Sequence, residues 1–221
     1  MGQPPLNSTD GTRSIALLTL LGIAGFLVAG AFSAYAYPGG THWDRTSIGP
    51  SWTNFFCDLL RPIALNGGDN GVGARAGQVA LLALVLGLGP FFTLVRLLLG
   101  LVGPRLVVLM TGAYAGRIAL ILVAAGTGRL PPVVHDWSIL IGAPLGLVAL
   151  TLTVIWSWRL DRPTAWLGTL GLGLGLWNLT QYAREAVLQT PSWPGLPLVQ
   201  KATLLCVLSF IALFSARGLQ R

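Results

Sequence analysis

Residues Ser14–Tyr35 read SIALLTLLGIAGFLVAGAFSAY, and this stretch contains no charged side chain. An apolar run of about 20 residues is long enough for a helix to cross the hydrocarbon core of a bilayer. Backbone groups in lipid must pair within their own segment, so a helix is the form that such a stretch is expected to take. Five more predominantly apolar stretches follow, near Gln78–Leu98, Leu106–Ala125, Trp137–Trp158, Ala165–Ala183 and Ala202–Ala216. The predicted fold class is therefore an all-α integral membrane protein, a bundle of six transmembrane helices.

The composition of the chain also favours a membrane protein. It has 221 residues, of which 53% are hydrophobic and 10% charged, and its mean hydropathy is +0.71. A soluble domain of ordinary composition carries about 25% charged residues, so the polar side chains here are too few to cover a globule. The net charge of +7 comes from basic residues that stand singly between apolar segments. Because they form no run of Lys or Arg, nucleic acid is not expected as a partner.

The first apolar stretch shares some features with a signal peptide. Arg13 precedes it, and Ser33-Ala34-Tyr35-Ala36 resembles a small-x-small cleavage site. The run is long for a signal peptide, so it is predicted to remain as an uncleaved helix, with cleavage of residues 1–36 as the alternative. The predicted organisation is a tail at 1–13, one membrane domain at 14–216 with a long loop at 37–77, and a second tail at 217–221.

Orientation is predicted from the basic residues near the apolar stretches. One side has basic residues close to helix ends, namely Arg13, Arg96, Arg105, Arg159, Arg162, Arg217 and Arg221. The other side has Arg45, Arg61, Arg75, Arg129, Arg184 and Lys201, three of which lie in the long loop. Both histidines and most of the acids fall on this second side as well. The predicted topology has both termini in the cytoplasm and the long loop on the outer face.

Small residues predict how the helices pack. Three of the stretches carry Gly-x-x-x-Gly, at Gly112/Gly116, Gly142/Gly146 and Gly171/Gly175. This spacing clears one face of a helix, so that a second backbone can approach closely, although chance matches are common in a glycine-rich chain. Pro90 and Pro144 fall inside stretches and are expected to kink them.

The long loop has the composition of an ordered segment. Residues 51–60 read SWTNFFCDLL and predict a short amphipathic helix, with Asn54 and Asp58 on one face. Asn66-Gly67-Gly68-Asp69-Asn70-Gly71 is rich in residues typical of turns. Loops longer than about 12–15 residues without structure of their own are uncommon unless they are functional. The loop is therefore predicted to be a functional element, with a lid that only seals the outer face as the alternative.

These loop residues carry a resemblance. Tyr37-Pro38-Gly39-Gly40, Asn54-Phe55-Phe56-Cys57-Asp58-Leu59 and Ala64-Leu65-Asn66-Gly67, with Asn70 before the second stretch, resemble uncharacterised bacterial six-helix membrane proteins similar to the Frag1/DRAM/Sfk1 type. The resemblance covers mainly residues 14–100. It implies six helices, a structured first outer loop and a bacterial inner (cytoplasmic) membrane, and distant eukaryotic relatives are linked to lipid handling. It carries no catalytic residue to this chain.

Arg117 lies near the middle of the third stretch, where a charge is costly and almost always faces a partner or a water-filled cavity. The expected partner is a carboxylate, with Glu185 and Asp58 as the nearest candidates, or a ring of carbonyls. Tyr114, three residues earlier, shares its helix face. An internal ion pair that fixes helix register, a site for an anionic lipid headgroup or substrate, and a proton or ion path are the open interpretations.

A polar stripe is predicted at the end of the fifth stretch. Asn178, Gln181, Tyr182 and Glu185 recur at three- and four-residue spacing, which places them on one helix face. Such a stripe lines either a cavity or a neighbouring polar loop, unless it is the ordinary solvation of a helix end. Arg184 is expected to point to a different side, toward headgroups.

His42, Asp44, Asp58 and His135 are all predicted on the outer side, where they can form a metal or acid–base site. No spacing typical of metal ligands is present, so a metal site is the weaker interpretation, and Asp136 can simply cap the fourth helix. No cofactor is assigned, because pigments and quinones bind apolar helix faces without a motif.

The function predicted from the sequence is non-enzymatic, because reactive groups are sparse. The chain is expected to bind membrane lipid or to serve as an accessory subunit that contacts other membrane proteins. One alternative is an enzyme acting on a lipid of the outer leaflet, with His42, Asp58, His135 and Glu185 as its polar centre. Another is a small transporter with a polar path through Arg117. Candidate binding residues are Arg117, Tyr114, Asn178, Gln181, Tyr182 and Asn54.

Overall fold

The computed structural model describes residues 8–127, 131–190 and 193–220, and within them the chain forms six α-helices. Residues 1–7, Arg129 and Arg221, which entered the predicted topology, lie outside this set. The helices are α1 Ser8–Tyr35, α2 Gly71–Leu99, α3 Gly103–Gly126, α4 Pro132–Ser157, α5 Arg162–Leu188 and α6 Leu196–Leu219. The segment between α1 and α2 contains a short 3₁₀ helix, Phe56–Leu60, and two isolated β-bridges. The described ranges contain no strand, so the all-α prediction is confirmed there.

Five of the helices, α1, α2, α3, α4 and α6, are long and apolar enough to cross a membrane. Helix α5 has 27 residues but does not meet the same criterion of apolarity. Its second half contains Asn178, Gln181, Arg184 and Glu185, which lower its mean hydropathy. The fold is thus a bundle of six helices, of which five have the character of membrane spans.

The helices extend beyond the predicted stretches. Helix α2 begins at Gly71 rather than Gln78, and α6 begins at Leu196 rather than Ala202. Apolarity predicts only the part of a helix that lies in hydrocarbon, whereas the backbone stays helical until a breaker or cap ends it. Pro197 in the first turn of α6 suits a helix start, since its fixed φ is already helical and its missing N–H has no partner there.

Consecutive helices pack as antiparallel pairs, α1 with α2, α3 with α4, and α5 with α6. At one end of the bundle Arg13 Nε donates to the carbonyl of Leu219 at 3.2 Å, so the first turns of α1 and the last turn of α6 lie together. We call this the termini end. The opposite end carries the long segment between α1 and α2, and we call it the loop end.

Glycines produce the close contacts between helices. A Cβ atom on Gly116 would lie 2.9 Å from Gly146 Cα, and one on Gly142 would lie 2.0 Å from Ala119 Cβ, so α3 and α4 touch backbone to backbone. On α5, Gly171 similarly faces Val207 of α6. These contacts confirm that the Gly-x-x-x-Gly spacings mark helix interfaces. The α1–α2 crossing was not predicted; there, a Cβ on Gly22 would lie 2.4 Å from Gly87 Cα.

The predicted amphipathic helix at residues 51–60 is wrong in its extent. Ser51 to Asn54 form a turn, in which Ser51 N donates to Asn54 Oδ1 at 2.9 Å and Thr53 N donates to Ser51 Oγ at 3.2 Å. Helical structure covers Phe56–Leu60 alone and is of the 3₁₀ type. Ser, Thr and Asn side chains compete for backbone donors in this way, which removes the first turn of the expected helix.

Candidate ligand-binding cavity

The long loop is a folded cover held by buried side chains. Tyr37 is only 1% exposed, and its hydroxyl accepts from Leu65 N at 3.1 Å and donates to Gly40 O at 3.4 Å. Burial raises the pKa of Tyr37 above its ordinary value, so this hydroxyl keeps its proton. Asn70 Nδ2 donates to the carbonyls of Leu59 and Arg61 at 3.0 and 2.8 Å. The loop therefore has a fixed shape instead of spanning the helices as a flexible tether.

The loop is also attached to the last helix. Phe56 N donates to Gln200 Oε1 at 2.8 Å, and Lys201 Nζ donates to the carbonyls of Trp52 and Asn54 at 2.8 and 2.5 Å. Both Gln200 and Lys201 lie in the first two turns of α6. The cover thus extends from the α1–α2 pair, where it begins and ends, across to α6.

A cavity of about 480 Å³ lies at the loop end, between this cover and helices α3, α4, α5 and α6. Its polar lining residues are His42, Asp58, Arg61, Thr127, His135, Asp136, Asn178, Tyr182, Glu185 and Gln200. Its apolar lining residues include Ile139, Ala143, Leu147, Gly175 and Leu179. The structure therefore brings all four proposed catalytic residues, His42, Asp58, His135 and Glu185, to one cavity.

The cavity is polar at its mouth and apolar at depth. On α4 its lining runs from His135 to Leu147, and on α5 it runs from Glu185 back to Gly175. At 1.5 Å per residue these distances are about 18 and 15 Å. The hydrocarbon core of a bilayer is about 30 Å thick, so the cavity has the depth of about one leaflet.

His42 and Asp58 form a hydrogen bond at the cavity wall. His42 Nε2 donates to Asp58 Oδ1 at 3.1 Å, while Asp58 Oδ2 accepts from Phe55 N at 2.8 Å. Asp58 is 3% exposed, whereas His42 is partly exposed. A carboxylate that accepts from one ring nitrogen fixes the orientation and tautomer of the imidazole. The pair has the arrangement that acid–base chemistry requires, and it also fixes the first turn of the 3₁₀ helix.

The tautomer of the second histidine, His135, follows from its contact with Thr127. Thr127 Oγ1 donates its single proton to Val123 O at 2.7 Å, and it lies 3.3 Å from His135 Nδ1. Because the hydroxyl proton is already used, Thr127 can only accept from the imidazole. His135 Nδ1 therefore carries hydrogen, and Nε2 is the acceptor of the neutral ring.

A hydrogen bond joins α4 and α5 across the mouth of the cavity. Tyr182 on α5 donates its hydroxyl to Asp136 Oδ1 on α4 at 2.6 Å. The interpretation of Asp136 as a helix cap is wrong, because α4 begins at Pro132 and Asp136 lies inside its first turns. Its carboxylate serves a contact between helices instead.

Two charged side chains of the mouth have no ion pair. Neither Arg61 nor Glu185 forms a salt bridge within residues 8–127, 131–190 and 193–220, although both line the cavity. Asn178 lines the cavity nearer to its apolar part, one turn from Tyr182. These are the groups at the mouth that remain available to a ligand.

Two of the proposed binding residues lie elsewhere. Gln181 accepts from Arg184 Nη1 at 3.4 Å on the exposed side of α5, so the polar stripe divides and only Asn178, Tyr182 and Glu185 face the cavity. Asn54 is 3% exposed, and its Nδ2 donates to Gly40 O at 2.7 Å. Asn54 stabilises the loop and does not line the cavity.

Arg117 and Tyr114 line a separate, smaller cavity of about 220 Å³ between α2 and α3. Arg117 Nε donates to Val85 O at 3.0 Å, and its guanidinium carbon lies 5.7 Å from the centre of the Tyr114 ring. Glu185 and Asp58, the expected carboxylate partners, do not contact Arg117; its acceptor is a backbone carbonyl, the kind of partner given as the alternative. The two cavities share no lining residue, so the polar path of the transporter interpretation is not continuous between them.

The potential metal ligands do not converge. No group of three or more His, Cys, Asp or Glu side chains is placed to hold a metal ion within the part of the chain that the structure describes. Asp44 instead accepts from Thr46 N and Thr46 Oγ1 at 2.9 and 2.7 Å, and these bonds lower the pKa of its carboxyl. The Cys57 thiol lines the cavity, and burial raises its pKa to about 12, so it is protonated at neutral pH and is not a nucleophile there.

Arg61, Thr127 and Gln200 line the cavity but were not predicted as site residues. Arg61 was counted only for orientation, Thr127 follows the third apolar stretch, and Gln200 precedes the last one. The sequence contained one signal for all three residues, which is their position close to a helix end at the loop end of the bundle. Arg61 follows the 3₁₀ helix, Thr127 follows α3, and Gln200 lies near the start of α6. What the sequence does not contain is which helix ends meet.

Comparisons with family models, with curated proteins and with solved structures find no match for this chain. The resemblance of its first half to bacterial proteins similar to the Frag1/DRAM/Sfk1 type stays a prediction, and the function is argued from the cavity alone.

Proposed function

We propose that this protein is a six-span membrane protein that binds one lipid-like amphiphile in the cavity at its loop end. The observation that carries the proposal is the gradient along the cavity wall, polar around Asp136 and Glu185 and apolar around Leu147 and Gly175. A lipid has the same gradient over the same distance, because its headgroup is polar and its chain is about one leaflet long. The volume of about 480 Å³ also falls within the range of about 300–1,000 Å³ typical of small-molecule sites.

In this proposal the loop end faces the outer leaflet of a bacterial inner membrane, and the termini lie in the cytoplasm. Support comes from the termini end, where Arg96, Arg105, Arg159, Arg162 and Arg217 lie close to helix ends as expected for a cytoplasmic face. The ligand then enters from the outer leaflet, with its chain between α4 and α5 and its headgroup among Arg61, Asn178 and Glu185. The folded loop covers the headgroup.

The test is to fill the cavity without altering its charges. Ala143 lines the apolar part of the cavity on α4, and Ala143→Phe would occupy the space of the chain. Native mass spectrometry of the protein released gently from membranes should show one retained lipid for the wild type. Occupancy in Ala143→Phe should fall about tenfold or more, which corresponds to about 1.4 kcal/mol of binding free energy.

Ala24→Phe is the matched control, because Ala24 is exposed on α1 and away from the cavity. It should retain the lipid as the wild type does. A wild type that carries no lipid, or an Ala143→Phe variant with undiminished occupancy, would contradict the proposal.

A second candidate is an enzyme that acts on the same lipid, and the His42–Asp58 contact favours it. A general base needs an imidazole held by a carboxylate within reach of the substrate, and both side chains line the cavity. His42→Gln should leave lipid retention unchanged and abolish turnover of the retained lipid. Equal product formation by His42→Gln and the wild type would exclude this role for the pair.

A further inference from the structure

Arg117 lies near the middle of α3, one of the helices long and apolar enough to cross a membrane. It is fourteen residues from the start of α3 at Gly103, a distance of about 21 Å along the helix. Helical side chains lean toward the N-terminus of their helix, so the guanidinium is nearer to the termini end than its Cα is. In a hydrocarbon core of about 30 Å, that position is close to the centre.

The guanidinium is incompletely satisfied by its own chain. Its Nε donates to Val85 O at 3.0 Å, and its Cζ lies 5.7 Å from the centre of the Tyr114 ring. Its planar group lies against Gly89, where an added Cβ would be 3.0 Å from Nη1. Neither Nη1 nor Nη2 donates a hydrogen bond to any acceptor in the described ranges, and no carboxylate there lies within 4.0 Å.

No acid of this chain is placed to neutralise it. The chain has seven acids, and all of them lie in loops or near helix ends: Asp10, Asp44, Asp58, Asp69, Asp136, Asp161 and Glu185. A second copy has its acids at the same depths, so a homodimer in one membrane does not bring a carboxylate to the midplane. A phospholipid phosphate belongs at the membrane surface, and drawing it to the centre of the bilayer is costly.

The groove around Arg117 is accessible from the side of the bundle. It has a volume of about 220 Å³, and its walls are Gly89, Phe92, Thr93, Met110, Ala113, Tyr114 and Arg117 itself. Tyr114 is 54% exposed at this surface. Gly89 and Ala113 have little or no side chain and leave space in the groove, as at surfaces where a second membrane helix packs closely. The groove is large enough for a side chain and too small for a lipid.

From these observations we infer that the groove between α2 and α3 binds a transmembrane helix of another protein that carries an Asp or Glu at mid-membrane depth. The partner carboxylate accepts from Nη1 and Nη2, which are the donors left free by the Val85 contact. A guanidinium presents two parallel donors to a carboxylate, so the pair is both oriented and neutral within the membrane. The site is distinct from the lipid cavity, with which it shares no lining residue.

The test compares Arg117→Met with Arg96→Met, a control at the exposed end of α2. Each full-length protein is released gently from its native membrane, and co-released chains are weighed by native mass spectrometry and sequenced. The wild type and Arg96→Met should retain a second membrane protein with an Asp or Glu inside a span. Retention should fall about 30-fold or more in Arg117→Met, since loss of one partner of a buried charge pair weakens binding by about 2 kcal/mol or more.

A charge exchange then identifies the contact. Replacing the partner's carboxylate by its amide should reduce retention as Arg117→Met does, and Arg117→Glu combined with a basic residue at the partner position should restore it. The thermal midpoint of isolated Arg117→Met should not fall, whereas a purely internal role for the Val85 contact predicts a lower midpoint and unchanged retention. The inference is overturned by a wild type released without another protein, by a partner that lacks an intramembrane acid, or by a lipid that is lost in place of a polypeptide.

Discussion

At the termini end, α4 and α5 pack through Gly168, where an added Cβ would lie 2.5 Å from Val154 Cγ2 and 2.9 Å from the Phe210 ring. At the loop end the same two helices meet through the long side chain of Tyr182, which reaches Asp136. About 21 Å of helix separates Gly168 from Tyr182. A glycine closes the space between two helices, whereas a polar bridge keeps them apart and leaves a cavity between them. One pair of helices thus has a sealed end and an open end.

The largest expected effect is at the sealed end. Gly168→Leu would overlap Val154 and Phe210, both buried in the core, so the helices must separate. We expect a loss of about 3 kcal/mol in the free energy of unfolding, at the upper end of the range for overpacked cores. Thermal or denaturant unfolding in detergent measures it.

Gly173→Leu is the matched control on the same helix, because no atom of a neighbouring element lies within 4 Å of an added Cβ there. Its stability should be equal to that of the wild type or slightly higher, since Leu has a higher helix propensity than Gly. Equal losses in the two variants would contradict a role for close packing at Gly168.

The next largest effect is expected in the cover of the open end. Asn70→Ala removes a buried amide that donates to the carbonyls of Leu59 and Arg61, and both carbonyls lose this partner. A buried polar group left unpaired costs about 1–3 kcal/mol, so the loop should open locally while the helices stay folded. Hydrogen exchange should rise across residues 54–70 and stay unchanged in α3 and α4. Protection that falls throughout the bundle would contradict a local role.

Tyr182→Phe tests the bridge itself with the loss of one oxygen atom. The variant removes the 2.6 Å hydrogen bond to Asp136, which is worth about 1.5–3 kcal/mol when one partner is charged. The free energy of unfolding should fall by about 1.5 kcal/mol, the lower limit of this range, because the mouth of the cavity admits water to Asp136. A double-mutant cycle with Asp136→Ala should give a coupling energy of the same size, and additive effects would show that the bridge does not hold the two helices.

The smallest effect is expected for the ion pair at the termini end. Arg217 Nη2 and Nε contact Asp161 Oδ2 at 2.6 and 3.0 Å, and the Arg217 side chain is about half exposed. Arg217→Met should therefore cost about 0.2–1 kcal/mol, as for other exposed pairs, and Arg159→Met should cost less because Arg159 forms no salt bridge in the described residues. A loss above this range would show that the pair is shielded from solvent.

The same pair has a pH dependence of defined sign. The hydroxyl of Thr164 and then Arg217 lower the pKa of Asp161 below its ordinary value of 3.8. The folded state therefore binds a proton at Asp161 less readily than the unfolded chain does. Its contribution to stability is complete above about pH 4 to 5 and is lost as the pH falls through the lowered pKa. Arg217→Met should reduce this acid dependence.

The helices and the composition of the site were predictable, because both depend on local patterns. Apolar stretches predicted all six helices, and Gly112/Gly116 with Gly142/Gly146 predicted a contact that the structure contains. The collection of polar residues at one end predicted where a site should be sought, with a cavity there as one of the alternatives. These patterns need no knowledge of which helices are neighbours.

Pairings between distant residues were not predictable. Tyr182 with Asp136, Thr127 with His135 and Phe56 with Gln200 each depend on how helix ends are arranged around the bundle. Asn54 and Gln181 were wrongly assigned to the binding site for a related reason. Asn54 donates to Gly40 O and Gln181 accepts from Arg184, and helical spacing alone does not reveal either contact. Of the two kinds of partner expected for Arg117, the carboxylate is not the one found, and a backbone carbonyl, Val85 O, is its hydrogen-bond acceptor.

The attachment of the loop to α6 affects the order in which the protein is made. Phe56 and its acceptor Gln200 are 144 residues apart, and Trp52 is 149 residues from Lys201. A ribosome adds about 5–20 residues per second, so the loop emerges about 7–30 s before the side chains that hold it on α6 exist. The cavity is therefore completed only when the last helix enters the membrane, and a chain interrupted before α6 has at most five of the helices and an unfinished binding site.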